Sequence, residues 1–208
     1  MVDMDITTPE DIDRLFQSGA VGIKFISPEK SYGHESYFPL YDAILERCGL
    51  AVFHTGFLAP EIFEPGGLHG RSTYTDITDM RPAALDRIAR AFPDLKIIMA
   101  HFGNPWWEEA WKMISSHKNI YADFSGGTCY RRSMDMWAQI FEPDGKLDTA
   151  AVGKLCFGTD SGYFTSEGNR ESVKMMDFHV RFMERLKVPE ELRQKVWRDN
   201  ILELTGLV

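Results

Sequence analysis

Three stretches of this 208-residue chain end an apolar run in a side chain that can ligate a metal or carry a proton. Ala51-Val52-Phe53 leads to His54-Thr55-Gly56, Ile97-Ile98-Met99-Ala100 to His101, and Leu155-Cys156-Phe157-Gly158-Thr159 to Asp160. Runs of this length and flank read as buried parallel strands. The carboxyl ends of such strands are where α/β proteins keep their chemistry. Two imidazoles and a carboxylate are what a divalent ion or a proton-transfer step needs. Plainer readings stand beside this one. Either histidine taken alone fits a buried ring bonded to a backbone carbonyl, and Asp160 fits a turn cap. A carboxylate ending an apolar strand is nevertheless costly to bury without a metal, cation or donor. Three such residues on three strand ends favour a common site, because parallel strands bring those ends to one face.

Other residues are candidates for its surroundings. Lys24 lies in a strand and either points into the same mouth or snorkels its amine to solvent. Arg71 and His69, in a long loop, suit a substrate carboxylate, with solvated loop charge as the alternative. Trp106 and Tyr163 follow His101 and Asp160 closely enough to wall a pocket, or are packing. Asp123 sits beside the site or pairs elsewhere. His34, His117 and His179 read as surface residues, and Met134, Met136, Met175 and Met176 as core filler.

The elements that must position these residues alternate along the chain. Thr8-Pro9-Glu10-Asp11 starts a helix with Ile12, Leu15 and Phe16 as its buried stripe, stopped by Gly19. Val21 to Ile26 is a strand. A helix from Tyr37 to Cys48, ended by Gly49, precedes the His54 strand. Residues Phe57 to Arg81 form a long connection, and loops of that length usually line a site or move. Pro82 begins a helix with Leu85, Ile88 and Ala89 on one face. After His101, Asn104 and Pro105 read as cap and first residue of a helix whose inner face is Trp107, Ala110, Trp111 and Ile114. Asn119 to Phe124 is a fourth strand, Arg131 to Phe141 a helix, Lys154 to Thr159 a fifth strand. Two helices close the chain, roughly Asn169–Leu186 and Pro189–Thr205. The order predicts parallel β/α layering with right-handed crossovers in one domain spanning 1–208.

Bulk properties narrow the classes. A net charge of -8 repels phosphate backbones and anionic membranes, so neither nucleic acid nor a membrane is an expected partner. No apolar run has the length to span a bilayer. The acidic start lacks a signal-peptide pattern, and Cys48, Cys129 and Cys156 are spaced as buried thiols rather than a disulfide framework, so the cytoplasm is the expected compartment. No G-x-G-x-x-G follows a strand, which argues against a doubly wound nucleotide binder.

With these residues in view, the chain resembles the amidohydrolase-related family of metal-dependent hydrolases and decarboxylases of the aminocarboxymuconate-semialdehyde decarboxylase type. The resemblance is carried by Gly22-Ile23-Lys24, Pro39-Leu40-Tyr41, His54-Thr55-Gly56, Phe92 to Lys96, Ala100 to Trp106, Asn119 to Asp123, Phe157 to Asp160, and Asn200-Ile201 near Leu204. It implies a parallel (β/α) barrel of the TIM type, here incomplete, with about five strands corresponding to the family's fourth to eighth. It implies His54 as a metal ligand, Asp160 as a ligand that also takes a proton from bound water, and His101 as the histidine orienting or deprotonating that water. With His101 added, the metal set is His54, His101 and Asp160, and the expected ion is zinc or manganese. Substrate contacts are expected from Lys24, Arg71, Trp106 and Tyr163. The implied activity is hydrolysis of a small carboxylic acid, lactone or amide. The alternatives are decarboxylation and a truncated homologue without catalysis that serves as a binding or assembly module. The family's first-strand His-x-His or Glu-x-His is missing, since neither spacing occurs anywhere in the chain. Five strands cannot close an eight-stranded barrel, and the bare edges lead us to expect a homodimer.

Overall fold

The structure, a computed structural model, describes residues 1–47, 49–58, 75–126, 128–161 and 166–207, without the side chains of 166–169. Helix α1 (Pro9–Gln17) starts where expected: Thr8 and Asp11 exchange hydrogen bonds in a capping box with Pro9 behind them. Strand β1 (Gly22–Phe25) and helix α2 (Phe38–Glu46) follow. Strand β2 (Leu50–His54), helix α3 (Ala84–Ala91), strand β3 (Lys96–Ala100) and helix α4 (Trp107–Ser116) continue the alternation. Then come β4 (Ile120–Asp123), α5 (Met134–Phe141), the short α6 (Thr149–Val152) and β5 (Leu155–Cys156). Helices α7 (Ser166–Arg185), α8 (Glu190–Gln194) and α9 (Asn200–Thr205) complete the described chain, with a π-helical stretch, Lys195–Asp199, joining the last two.

The five strands form one parallel sheet in the order β1-β2-β3-β4-β5. Neighbours in sequence are neighbours in space, so the sheet winds one way, as a barrel does. A doubly wound sheet would reverse its order. Side-chain alternation then separates two faces. Ile23, Phe25, Ala51, Phe53, Ile97, Met99, Ile120, Ala122 and Leu155 join the helices in one large apolar core. The opposite face carries Leu50, Ile98 and Cys156, packed with Leu204 of α9, and Val52 and Tyr121 beside them. Among the described residues the fold is therefore an α/β parallel barrel of the TIM type, incomplete at five strands. Among the described residues, no helix is long and apolar enough to cross a membrane.

Several details differ from the sequence reading, each for a local reason. Leu15 is 38% exposed although Ile12 beside it is fully buried. Phe16 instead lies on Gly49, where any Cβ would meet its ring. Helix α4 starts at Trp107 rather than Pro105, with no side-chain cap, because Asn104 is used elsewhere. Its carbonyl accepts from Phe57 N (2.8 Å) and its side-chain oxygen from Thr128 Oγ1 (3.3 Å). Strand β5 is two residues long, since Phe157 N already bonds Val196 O of the π-helical stretch (2.8 Å). His117 is partly buried and bonds Asp86 (2.9 Å). His179 is wholly buried among Phe124, Phe157, Phe178 and Trp197, not at the surface. It falls in the helical series Met175, Phe178 and Phe182, the buried stripe of α7, whereas Met176 lies on the other side and is 51% exposed. Cys129 and Cys156 are buried free thiols; Cys48 lies outside the described residues.

Two predictions follow from this packing. Burial pulls the His179 imidazole down to about 4. Below the ordinary histidine value the unfolded chain takes a proton that the fold refuses, so stability falls as pH drops from about 6.5 toward 4. Urea midpoints measured across that range should show the decline, with a shallower slope for His179→Phe. Thr55, fully buried, donates its Oγ1 hydrogen to Ala100 O (2.6 Å) and accepts from Gly103 N (3.0 Å), which ties the end of β2 to the turn after β3. Thr55→Val leaves the Gly103 N–H without its acceptor and should cost about 1–3 kcal/mol in denaturant unfolding.

Candidate active site at the carboxyl rim

Register brings the polar side chains together. Lys24 pairs with Val52, and Val52 and His54 share a sheet face. His54 pairs with Ala100, one residue before His101. Asp123 ends β4 and pairs with Cys156, four residues before Asp160. All five side chains thus lie at or just beyond the carboxyl ends of the strands. The backbone there is unusual as well. Ser27, His101, Phe102 and Asp160 all have φ between +44° and +69°, a region costly for residues other than glycine. Such strain is held where surrounding contacts over-determine it.

The two imidazoles are packed edge to face, ring centroids 4.5 Å apart, and both are buried. Burial, then the charge of Lys24, pulls His101 below the usual range. Burial first, then His101 and Lys24, pulls His54 down to about 2, so both rings are neutral near pH 7. His101 Nδ1 faces Ser125 O at 2.7 Å and so carries its proton there, leaving the lone pair on Nε2. Nε2 of His54 is buried and has no hydrogen-bond partner among the described residues. Lys24 is pushed below the ordinary amine range by burial and held back by Asp123 and Asp160. The amine therefore belongs to this mouth rather than snorkelling away from it.

Asp160 joins from the far side. A Cβ on Gly126 would lie 2.6 Å from Asp160 Oδ2 and 3.2 Å from His101 Nδ1, so both side chains close on the space that glycine leaves. The desolvation expected for Asp160 does not apply, because the residue is exposed. Asp123, undecided from the sequence, lies beside the site: its Oδ1 accepts from His101 N (3.0 Å), Ser125 N (2.8 Å) and Ser125 Oγ. Ser125 had no signal in the sequence beyond its place two residues after a strand-end aspartate. Trp106 walls a different groove of about 440 Å³, shared with Arg81, Trp107, Glu109, Met136 and Ile140, and the Arg81 guanidinium lies 5.1 Å over its ring. His69, Arg71 and Tyr163 lie outside the described residues.

The donors can be tested against the metal that the resemblance implies. His54 fits: a buried, partnerless imidazole nitrogen is costly unless something binds it. His101 fits through its unprotonated Nε2. Among the described residues, however, no three His, Cys, Asp or Glu side chains stand where one ion could be held. Two imidazole positions are built; the three-donor set with Asp160 is not assembled. Without an ion, the arrangement offers two neutral bases, a carboxylate and an ammonium group at one rim, which suits binding a small anion and moving a proton beside it.

Comparison with known proteins agrees with the architecture. No curated protein sequence matches the chain. An uncharacterised TIM-barrel protein of Bordetella bronchiseptica superposes with a TM-score of 0.64 at 17% identity, over 96% of this chain and 64% of that one. A probable 2-pyrone-4,6-dicarboxylic acid hydrolase of Acinetobacter baumannii gives 0.58 at 13% identity, over 96% and 69%. The 2,6-dihydroxybenzoate decarboxylase of Rhizobium gives 0.58 at 14% identity, over 96% and 68%. The chain thus spans just under two thirds of the length of the first of these structures and slightly more of the other two. The amidohydrolase family model matches residues 2–207, nearly the whole sequence, and the chain belongs to the amidohydrolase family.

Proposed function

We propose that this chain is a hydrolase of small carboxylic acid derivatives, lactones or amides, acting at the rim formed by His54, His101, Asp160 and Lys24. The observation that carries the reading is the imidazole pair: two neutral rings 4.5 Å apart, one with a buried nitrogen that no described residue satisfies. Lys24 draws the substrate carboxylate into the mouth. His101, its Nδ1–H held by Ser125 O, presents Nε2 to accept a proton from the attacking water. The proton taken by His101 then passes to the departing group, with Asp160, exposed at the entrance, as its relay. His54 would hold a divalent ion, zinc before manganese, through its Nε2, while the lone pair of His101 Nε2 stays free for the proton. When bound, such an ion would polarise a carbonyl and acidify water. Decarboxylation is the alternative outcome at the same residues. Structural neighbours with both kinds of name act on small carboxylic acids by their descriptions.

Elemental analysis of protein purified without added metal, beside assays on simple lactones, tests the proposal. Zinc or manganese should be present and should fall with His54→Gln. Asp160→Asn should lower kcat about a hundredfold; unchanged turnover in that variant would remove Asp160 from the chemistry.

The incomplete donor set favours a second reading, in which the chain works as an assembly module. Among the described residues, the outer edge of β1 is bridged only by Val2, whose N–H bonds Lys24 O (3.0 Å). Val173, Met176 and Val180 leave an apolar stripe exposed along α7. A homodimer formed through these surfaces should sediment as one species at micromolar concentration and dissociate on Met176→Lys. A monomer throughout would rule it out.

A further inference from the structure

The hydrogen bonds around Asp123 settle which nitrogen of His101 is free. Asp123 Oδ1 accepts from the backbone of His101 (3.0 Å), from the backbone of Ser125 (2.8 Å) and from the Ser125 hydroxyl. Once that hydroxyl hydrogen is committed to the carboxylate, Ser125 Oγ has only lone pairs to offer His101 Nδ1, 3.2 Å away. The Ser125 carbonyl, 2.7 Å from the same nitrogen, is also purely an acceptor. Nδ1 therefore meets two acceptors and must carry the proton, and Nε2 is left as the base. The same carboxylate holds the His101 backbone at φ +69°, the left-handed conformation that turns the ring toward His54. Gly126 leaves the ring room, since a Cβ there would press on Nδ1 at 3.2 Å.

We propose that Asp123 is a positioning residue: acting through Ser125, it fixes His101 in the Nδ1–H tautomer and aims Nε2 at the reacting centre. The functional consequence rests on His101 being the proton acceptor proposed above. The tautomer itself does not.

The test is nitrogen-15 NMR of the imidazoles in the full chain at pH 7.5, with His101 assigned through His101→Gln. Wild type should show a single Nδ1–H form. Asp123→Ala frees the Ser125 hydroxyl to donate to Nδ1 and should give a mixture of both tautomers. The conservative Asp123→Asn keeps an accepting Oδ1 and should restore the single form. Asp123→Ala combined with Ser125→Ala removes the competing donor and should restore it too. In the lactone assay, Asp123→Ala should lower kcat about 10–100-fold with KM nearly unchanged. A wild-type ring protonated at Nε2, or exchanging between forms, overturns the proposal even if the alanine variant does not fold. So does a folded Asp123→Ala that keeps the wild-type spectrum. If the tautomers behave as stated and no hydrolysis is found, positioning stands and the functional reading fails.

Discussion

Side chains on a parallel sheet alternate between two faces, and in this chain that alternation separates packing from chemistry. On one face every inward position of the five strands is apolar, and the helices bury it. On the other, Leu50, Val52, Ile98, Tyr121 and Cys156 share the surface with Lys24, His54 and Asp123, the last two ending their strands. A slip of one residue in any strand would exchange the two sets, turning His54 into the helix layer and Phe53 into the mouth. Register is thus specified by hydrophobic burial, although its product is a cluster of polar groups at one rim.

Burial at that rim has a second effect. Removing the imidazoles from water disfavours their charged forms, and the Lys24 ammonium pushes in the same direction. Asp123 and Asp160 offset the lysine from the other side. The resulting balance keeps two bases unprotonated beside the Lys24 amine. Rigidity comes from the turns. Thr55 joins the ends of β2 and β3, while Asp123 joins the end of β4 to the turn carrying His101. Neither device uses the large apolar core directly, yet both depend on it to keep the strand ends fixed.

Membership of the amidohydrolase family sets this arrangement in context without making the chain a complete barrel. Five strands wound in sequence order make an open sheet with β1 and β5 outermost. The inner face is filled at its lower end by Leu204 of α9, and Lys96 Nζ bonds Leu204 O (3.0 Å), anchoring the closing helix to β3. The upper end is where the polar residues gather. An open barrel can therefore keep an ordered rim when the interior below it is sealed by its own C-terminal helices.

Much of this was legible in the residue order. Apolar runs with turn residues at their ends marked the strands, the Thr8–Asp11 box marked α1, and His54, His101 and Asp160 announced themselves by standing at the ends of those runs. Local rules suffice for such features because they depend on neighbours three or four positions away. What the residue order left open depended on partners distant in the chain: whether Lys24 turned inward, what Asp123 bonded, that His179 lay in the aromatic core, and that Asn104 was too occupied to cap α4. The proton position on His101 belongs to the same class, since it is set by a serine 24 residues further along. Sequence alone determined the elements and the residue types at the rim, through periodicity and chain stiffness. Only the tertiary structure decided which of those residues meet and in which protonation state, because burial and hydrogen bonding there come from strands brought together by folding.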